Sequence, residues 1–99
     1  MKMPAGFDIH SLEVFMLTAE LGGMTQSAEH LGMTQSAVSQ IISKLETALD
    51  SKLFDRSTRP LTLTASGRYL LNGGTHLVAD AKRIVAEMRG IGNVPIDSI

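Results

Sequence analysis

The two apolar-periodic segments on either side of Gly32 constrain this chain more than any other feature. Thr25 to Leu31 and Thr34 to Leu49 each open on a threonine whose hydroxyl can cap free helix amides, and only Gly32-Met33 separates them. Glycine accepts the left-handed backbone that closes a helix, so the first segment stops there and the next begins almost at once. The first should bury Ala28 and Leu31. In the second, Val38, Ile41, Ile42, Leu45 and Leu49 make a sustained helical stripe, with Met33 placed to staple onto Val38. Two helices joined by a three- or four-residue turn containing glycine form a helix-turn-helix.

The flanks complete a mainly α architecture. Asp8 can cap a preceding helix, with Phe7 and Leu12 as a hydrophobic staple and Leu12, Phe15, Met16 and Ala19 as its inner face, up to the stop at Leu21-Gly22-Gly23. After Leu49 the periodicity changes. Leu53-Phe54 and Leu61-Thr62-Leu63 read as short strands around Asp55 to Pro60, and Pro60 belongs at the start or edge of a strand because it lacks an amide hydrogen. This predicts a two-stranded wing. Thr64 then caps the longest helix, from about Ala65 to Arg89, with Gly90 and Gly92 as stop signals and Pro95 beyond. The expected division is a winged helix-turn-helix over 1–64, a long C-terminal linker helix over 65–90 and a hinge over 91–99.

That last helix carries more apolar surface than a small core needs. Leu70, Gly74, Leu77, Ala81, Ile84 and Met88 alternate spacings of four and three, a short heptad seam, and Leu71, Val78 and Val85 widen it. The surplus predicts a second copy packed along Leu70, Leu71, Leu77, Val78, Ala81, Ile84, Val85 and Met88.

Composition narrows the function. With 99 residues there is room for a single modest core, not for a catalytic domain beside a regulatory one. Zero cysteines exclude disulfides and thiolate metal sites, and His10, His30 and His76 are too scattered for a ligand cluster, so neither metal nor cofactor is expected. No signal peptide or membrane span is apparent, which fits a cytoplasmic protein without a membrane partner. No nucleophile elbow, phosphate-cradling glycine loop or paired-carboxylate site suggests an enzyme. The net charge of −1 conceals a local asymmetry. Asp8, Glu13, Glu20 and Glu29 dominate the first third, whereas Lys44, Lys52, Arg56, Arg59 and Arg68 outnumber Glu46, Asp50 and Asp55 in the middle. That basic surplus falls on the segments a groove-reading domain would bring nearest phosphate.

The polar side of the helix after Gly32 points the same way. Ser36, Ser39, Gln40, Ser43 and Thr47 lie at i, i+3, i+4, i+7 and i+11, opposite the apolar stripe, and none carries charge. A solvated face usually holds Glu and Lys pairs, whereas small hydroxyls and amides can approach base edges closely, and glutamine can pair bidentately with adenine. A plain polar surface is the alternative for such a helix in isolation. Its place as the second helix of a helix-turn-helix, followed by a wing and capped by Thr34 at a potential phosphate-binding N-terminus, favours DNA. On the wing, Arg59 reads as a phosphate or minor-groove contact, while Arg56 reads equally as a phosphate contact or as the partner of Asp55.

These fragments together resemble the LysR-type regulators: Leu12-Glu13-Val14-Phe15, Gly23 to Leu31, Thr34 to Glu46, Leu53-Phe54-Asp55-Arg56 and Leu63-Thr64-Ala65-Ser66-Gly67, over about residues 8 to 90. The resemblance implies a winged helix-turn-helix whose linker helix pairs antiparallel with its twin in a homodimer bound to an imperfect inverted repeat of double-stranded DNA. It implies that Gln35, Ser36, Ser39 and Gln40 read bases, that Thr25, Ser27 and Lys44 hold phosphates, and that Arg59 probes backbone or minor groove; Thr34 at the helix N-terminus and Ser43 on the polar face are counted with the backbone contacts on their position alone. It also implies that a small-molecule effector would bind a C-terminal domain this chain lacks.

The sequence departs from the family pattern at three places. Gln40 stands where many members have arginine, Asp50 where a glycine commonly closes the recognition helix, and Gly73-Gly74 interrupts the linker helix at a cost of about 1 kcal/mol per residue relative to alanine. A protein-interaction module acting through the long apolar helix is the competing function. The uncharged Ser/Gln face beside Arg59 is what such a module would not require.

Overall fold

The computed structural model describes residues 1–92, so the expected hinge lies outside the described residues from 93 onward. Helix α1 (Ile9–Leu21) starts where Asp8, in extended backbone, accepts the Ser11 amide on Oδ1 at 2.8 Å. It ends at Gly22, whose left-handed φ of 76° returns its amide to the Thr18 carbonyl. Helix α2 (Met24–Leu31) is capped by Gly23 rather than Thr25, which becomes an exposed residue inside the first turn. It buries Met24, Ser27 and Ala28, whereas Leu31 stays on the surface, contrary to its expected burial. Gly32 at φ 67° closes α2 and leads into Thr34, whose Oγ1 accepts the Ala37 amide at 3.0 Å and opens α3 (Gln35–Leu49).

Asp50 occupies the left-handed position that ends α3, at φ 49° and ψ 44°. Its amide and that of Ser51 bond back to the Thr47 and Glu46 carbonyls at 3.2 and 3.0 Å. The helix therefore turns as glycine would have turned it, in a conformation that aspartate visits at some cost.

Strands β1 (Phe54–Asp55) and β2 (Thr62–Leu63) pair antiparallel, Phe54 opposite Leu63 and Asp55 opposite Thr62. They are shorter than the sequence suggests and β1 begins one residue later: the Leu53 carbonyl still accepts the Thr64 amide across the ribbon at 3.0 Å, but the Leu53 amide donates to Glu46 Oε2 on α3 at 2.8 Å. The wing is fastened to the helices at both ends. The Leu61 amide donates to the Gly22 carbonyl at 2.9 Å, and the Thr64 hydroxyl donates to the Lys52 carbonyl at 2.6 Å while accepting the Gly67 amide at 3.0 Å. Thr64 thus caps α4 (Ala65–Gly92) as expected.

The core lies where α1, α2, α3 and the wing root meet. Val14, Phe15, Val38, Ile42, Leu45, Leu53 and Phe54 are buried there, with the Phe15 and Phe54 rings tilted at 53° and 5.4 Å apart. Helix α4 leaves this core and runs across α1, giving the molecule its 60 Å long axis. Gly74 faces α1, where a Cβ would make ordinary contact with Leu12 at 3.5 Å and Met16 at 3.8 Å, so the approach of the two helices does not depend on glycine there. Gly73 faces open space, and Gly90 does not end the helix, which continues to Gly92. An exposed ion pair between Lys82 and Glu13, 3.4 Å, adds a peripheral link between α4 and α1.

Candidate nucleic-acid interface

Because Val38, Ile42 and Leu45 fix one side of α3 in the core, helical geometry turns the other side outward. Gln35, Ser36, Gln40, Ser43, Lys44 and Thr47 are exposed along it, and Ser39 is half-buried at its inner edge. Gln35 and Ser39 also line a cleft of about 570 Å³ whose other walls are Thr25 at the start of α2 and Arg56, Arg59 and Pro60 of the wing. Thr25, Gln35, Ser39, Arg56 and Arg59 are therefore brought together around one groove. Thr34, Ser36, Gln40, Ser43 and Lys44 lie outside it along α3, open to solvent.

Arg59 folds back on the wing, its Nη1 donating to the carbonyls of Arg56 and Thr58 at 2.7 and 2.8 Å. Among the described residues neither Arg59 nor Lys44 is paired with a carboxylate, so both charges remain available. Asp55, at the base of the same turn, accepts the Ser57 amide and hydroxyl, and those bonds hold its carboxyl below the usual carboxylate range.

Several sequence assignments change. Ser27 cannot hold a phosphate, because it is fully buried and its hydroxyl pairs with Thr18 at 2.9 Å. Its position three residues after Met24 and one before Ala28 puts it on the inner stripe of α2, a signal present in the sequence. Arg56 pairs not with Asp55 but with Glu46, 3.1 Å away on α3. Val78 is not free for a partner, being only 3% exposed against α1. Leu70 and Leu71 also pack onto the core, and Ala81 is half-buried. The outward apolar stripe of α4 is narrower than expected, comprising Leu77, Ile84, Val85 and Met88, and it extends to Ile91.

Two features were missed, although the place of Glu46 four residues after Ile42 and three before Leu49 was a signal for the first. The buried Glu46 belongs to the apolar side of α3, and the N-terminal turn, closed by the Phe7 amide on the Pro4 carbonyl, lies against α3. Gly6 is needed there, since it has a φ of 92° and a Cβ would come within 3.0 Å of the Lys44 carbonyl oxygen.

The sequence model of the "Bacterial regulatory helix-turn-helix protein, lysR family" matches residues 9–68, the span from α1 to the first turn of α4. The chain belongs to the LysR family. Among curated relatives it is 47% identical over 74 residues to the HTH-type transcriptional regulator ShiR of Corynebacterium glutamicum, an alignment covering 75% of this chain and 25% of ShiR. Over 88 residues it is 34% identical to the HTH-type transcriptional activator AaeR of Escherichia coli, covering 89% of this chain and 28% of AaeR. The chain thus spans about a quarter of the length of these relatives. Among solved structures it resembles Vibrio fischeri DarR in complex with DNA, with a TM-score of 0.84, 28% identity, and coverage of 87% of this chain and 30% of that one. This LysR-family chain is a regulatory domain, not an enzyme. Among its described residues no helix is long and apolar enough to cross a membrane.

Proposed function

We propose that this LysR-family domain binds double-stranded DNA sequence-specifically, as a homodimer, and so regulates transcription in the bacterial cytoplasm. The observation that carries the reading is the carboxylate-free outer face of α3, exposed beside a cleft edged by a wing arginine that pairs with no carboxylate among the described residues. Gln35, Ser36, Ser39 and Gln40 read base edges in the major groove. Thr25, Thr34, Ser43, Lys44 and Arg59 hold phosphates or enter the minor groove. Support comes from DarR, whose structure was solved with DNA.

Residues 1–64 form the reading unit and 65–90 the linker helix, whose exposed Leu77, Ile84, Val85 and Met88, edged by Ala81, pack against a second copy. Joining two weak readers raises affinity through effective concentration and calls for an imperfect inverted repeat, one recognition helix per half-site. Any effector would act through a further domain outside this chain.

Selection of bound sequences from a random duplex pool tests the reading. A recovered inverted repeat is the expected result, and recovery of no sequence above the unselected background would overturn it. On the recovered duplex, Gln35→Ala or Ser39→Ala should relax sequence preference. Arg59→Ala should weaken binding broadly and flatten the slope of log affinity against log salt by about 0.9 per subunit, about 1.8 for the dimer.

A further inference from the structure

Glu46 is an acid on the apolar side of a recognition helix, and both of its oxygens are directed to the wing. Oε2 accepts the Leu53 amide at 2.8 Å and Oε1 accepts Arg56 Nη2 at 3.1 Å, with the Glu46 side chain only 4% exposed. Arg56 carries the connection onward. Its Nη1 lies 3.8 Å from the sulfur of Met24 at the start of α2, and its carbonyl accepts Arg59 Nη1 at 2.7 Å. One buried carboxylate is thereby linked to α3, to the α2 N-terminus and to the wing arginine at the cleft mouth.

We infer that Glu46 is a positioning residue for sequence selectivity: by holding Arg56, it fixes Arg59 relative to Gln35 and Ser39 and withholds one positive charge from phosphate. This rests on the DNA-binding reading above. The charge argument follows from unequal burial. Arg56 is 41% exposed and lines the cleft, so once released its guanidinium can reach any phosphate entering there, whatever the sequence. Glu46 cannot reach solvent. Removing Arg56 alone would strand a buried carboxylate and endanger the fold, whereas Glu46→Gln keeps the volume and an oxygen for the Leu53 amide.

The opposing directions make the inference testable. With the unaltered chain, a duplex is selected from a random pool, and a scrambled duplex of equal length and composition serves as the second probe. Glu46→Gln should bind the scrambled duplex several-fold more tightly at low salt, with a slope of log affinity against log salt steeper by about 0.9 per subunit, about 1.8 for the dimer. The ratio of selected to scrambled affinity should fall on the order of tenfold. Adding Arg56→Gln should restore the slope but not the ratio, because the segment whose carbonyl holds Arg59 is still not tied to α3.

A purely structural role would weaken both duplexes in parallel and leave the slope unchanged, and that result overturns the inference. So does a Glu46→Gln chain indistinguishable from the unaltered one. If Glu46→Gln fails to melt cooperatively by circular dichroism, Arg56→Lys decides instead. It keeps the charge pair but loses the guanidinium fork, and should lower the ratio with the slope unchanged; an unaltered ratio overturns the inference. Failure of the unaltered chain to select any duplex removes the DNA-binding reading itself, and this inference with it.

Discussion

Thr18 and Ser27 bring their hydroxyls within 2.9 Å of each other across the contact of α1 and α2, and neither side chain reaches solvent. Thr18 also donates to the Val14 carbonyl at 2.8 Å, so Ser27→Ala leaves Thr18 with a partner. The expected cost is about 1 kcal/mol, seen as a lower urea midpoint with unchanged m-value. Thr18→Val should cost more, about 1–3 kcal/mol, because it strands the buried Ser27 hydroxyl. In the folded protein neither change should alter DNA affinity; a weaker affinity of folded Ser27→Ala for every duplex would show that the serine reaches phosphate after all.

Two glycines of α4 should respond to alanine with opposite signs. A Cβ on Gly67 would overlap the Leu53 carbonyl oxygen and crowd Leu63, both at the wing root, so Gly67→Ala should destabilise by about 1–3 kcal/mol. Gly73 faces open space in a helix interior, where alanine is preferred by about 1 kcal/mol, and Gly73→Ala should raise the melting temperature. Thermal melts of both variants at one protein concentration check the pair, and a destabilised Gly73→Ala would mean that another chain approaches there.

How legible these features were depends on the range of the interaction. The caps Asp8, Thr34 and Thr64 could be read because a cap is a bond to an amide three residues on. The α3 stripe could be read because one face of a helix is enough to define it. Thr25 was misplaced because Gly23 supplies a suitable extended backbone without any side-chain bond. The Glu46–Arg56 pair joins a helix to a loop, and no sequence spacing encodes such a contact. Val78 was ambiguous for another reason: periodicity says which residues share a face, not whether α1 or a second copy covers it.

Asp50→Gly should stabilise the chain by up to about 1 kcal/mol. At φ 49° the aspartate holds a backbone conformation that costs glycine nothing, a gain partly offset by the greater freedom glycine has when unfolded. A raised denaturant midpoint with unaltered duplex selectivity is the expected outcome, since Asp50 lies beyond the reading face of α3.

Stability should fall in acid through Asp8. The Ser11 amide bound to its carboxylate holds the group below the usual carboxylate range. A depressed folded-state value means the unfolded chain binds the proton more readily, so this contribution is complete above the unfolded value of about 3.9 and is lost as pH falls through the folded one. Asp8→Asn keeps a capping oxygen and should match the native chain near neutrality while showing a shallower loss of urea midpoint in acid. Asp8→Ala should lose about 1 kcal/mol at neutral pH. An acid profile of Asp8→Asn that superimposes on the native one would assign the loss to Asp55 and the other carboxylates.

Gln40 gives the prediction with the widest reach. It is exposed on α3 one turn beyond Ser36 and outside the cleft, so a substitution there touches neither the core nor the Glu46–Arg56 connection. An amide offers one donor and one acceptor in the pattern that adenine presents in the major groove, whereas a guanidinium offers only donors, the pattern complementary to guanine. Gln40→Arg should therefore shift one symmetric position of the selected inverted repeat towards guanine. Each subunit of the dimer also gains a positive charge, so the salt dependence should steepen. A steeper slope with an unchanged repeat would mean that the side chain at position 40 meets phosphate, and base reading would then rest on Gln35, Ser36 and Ser39 alone.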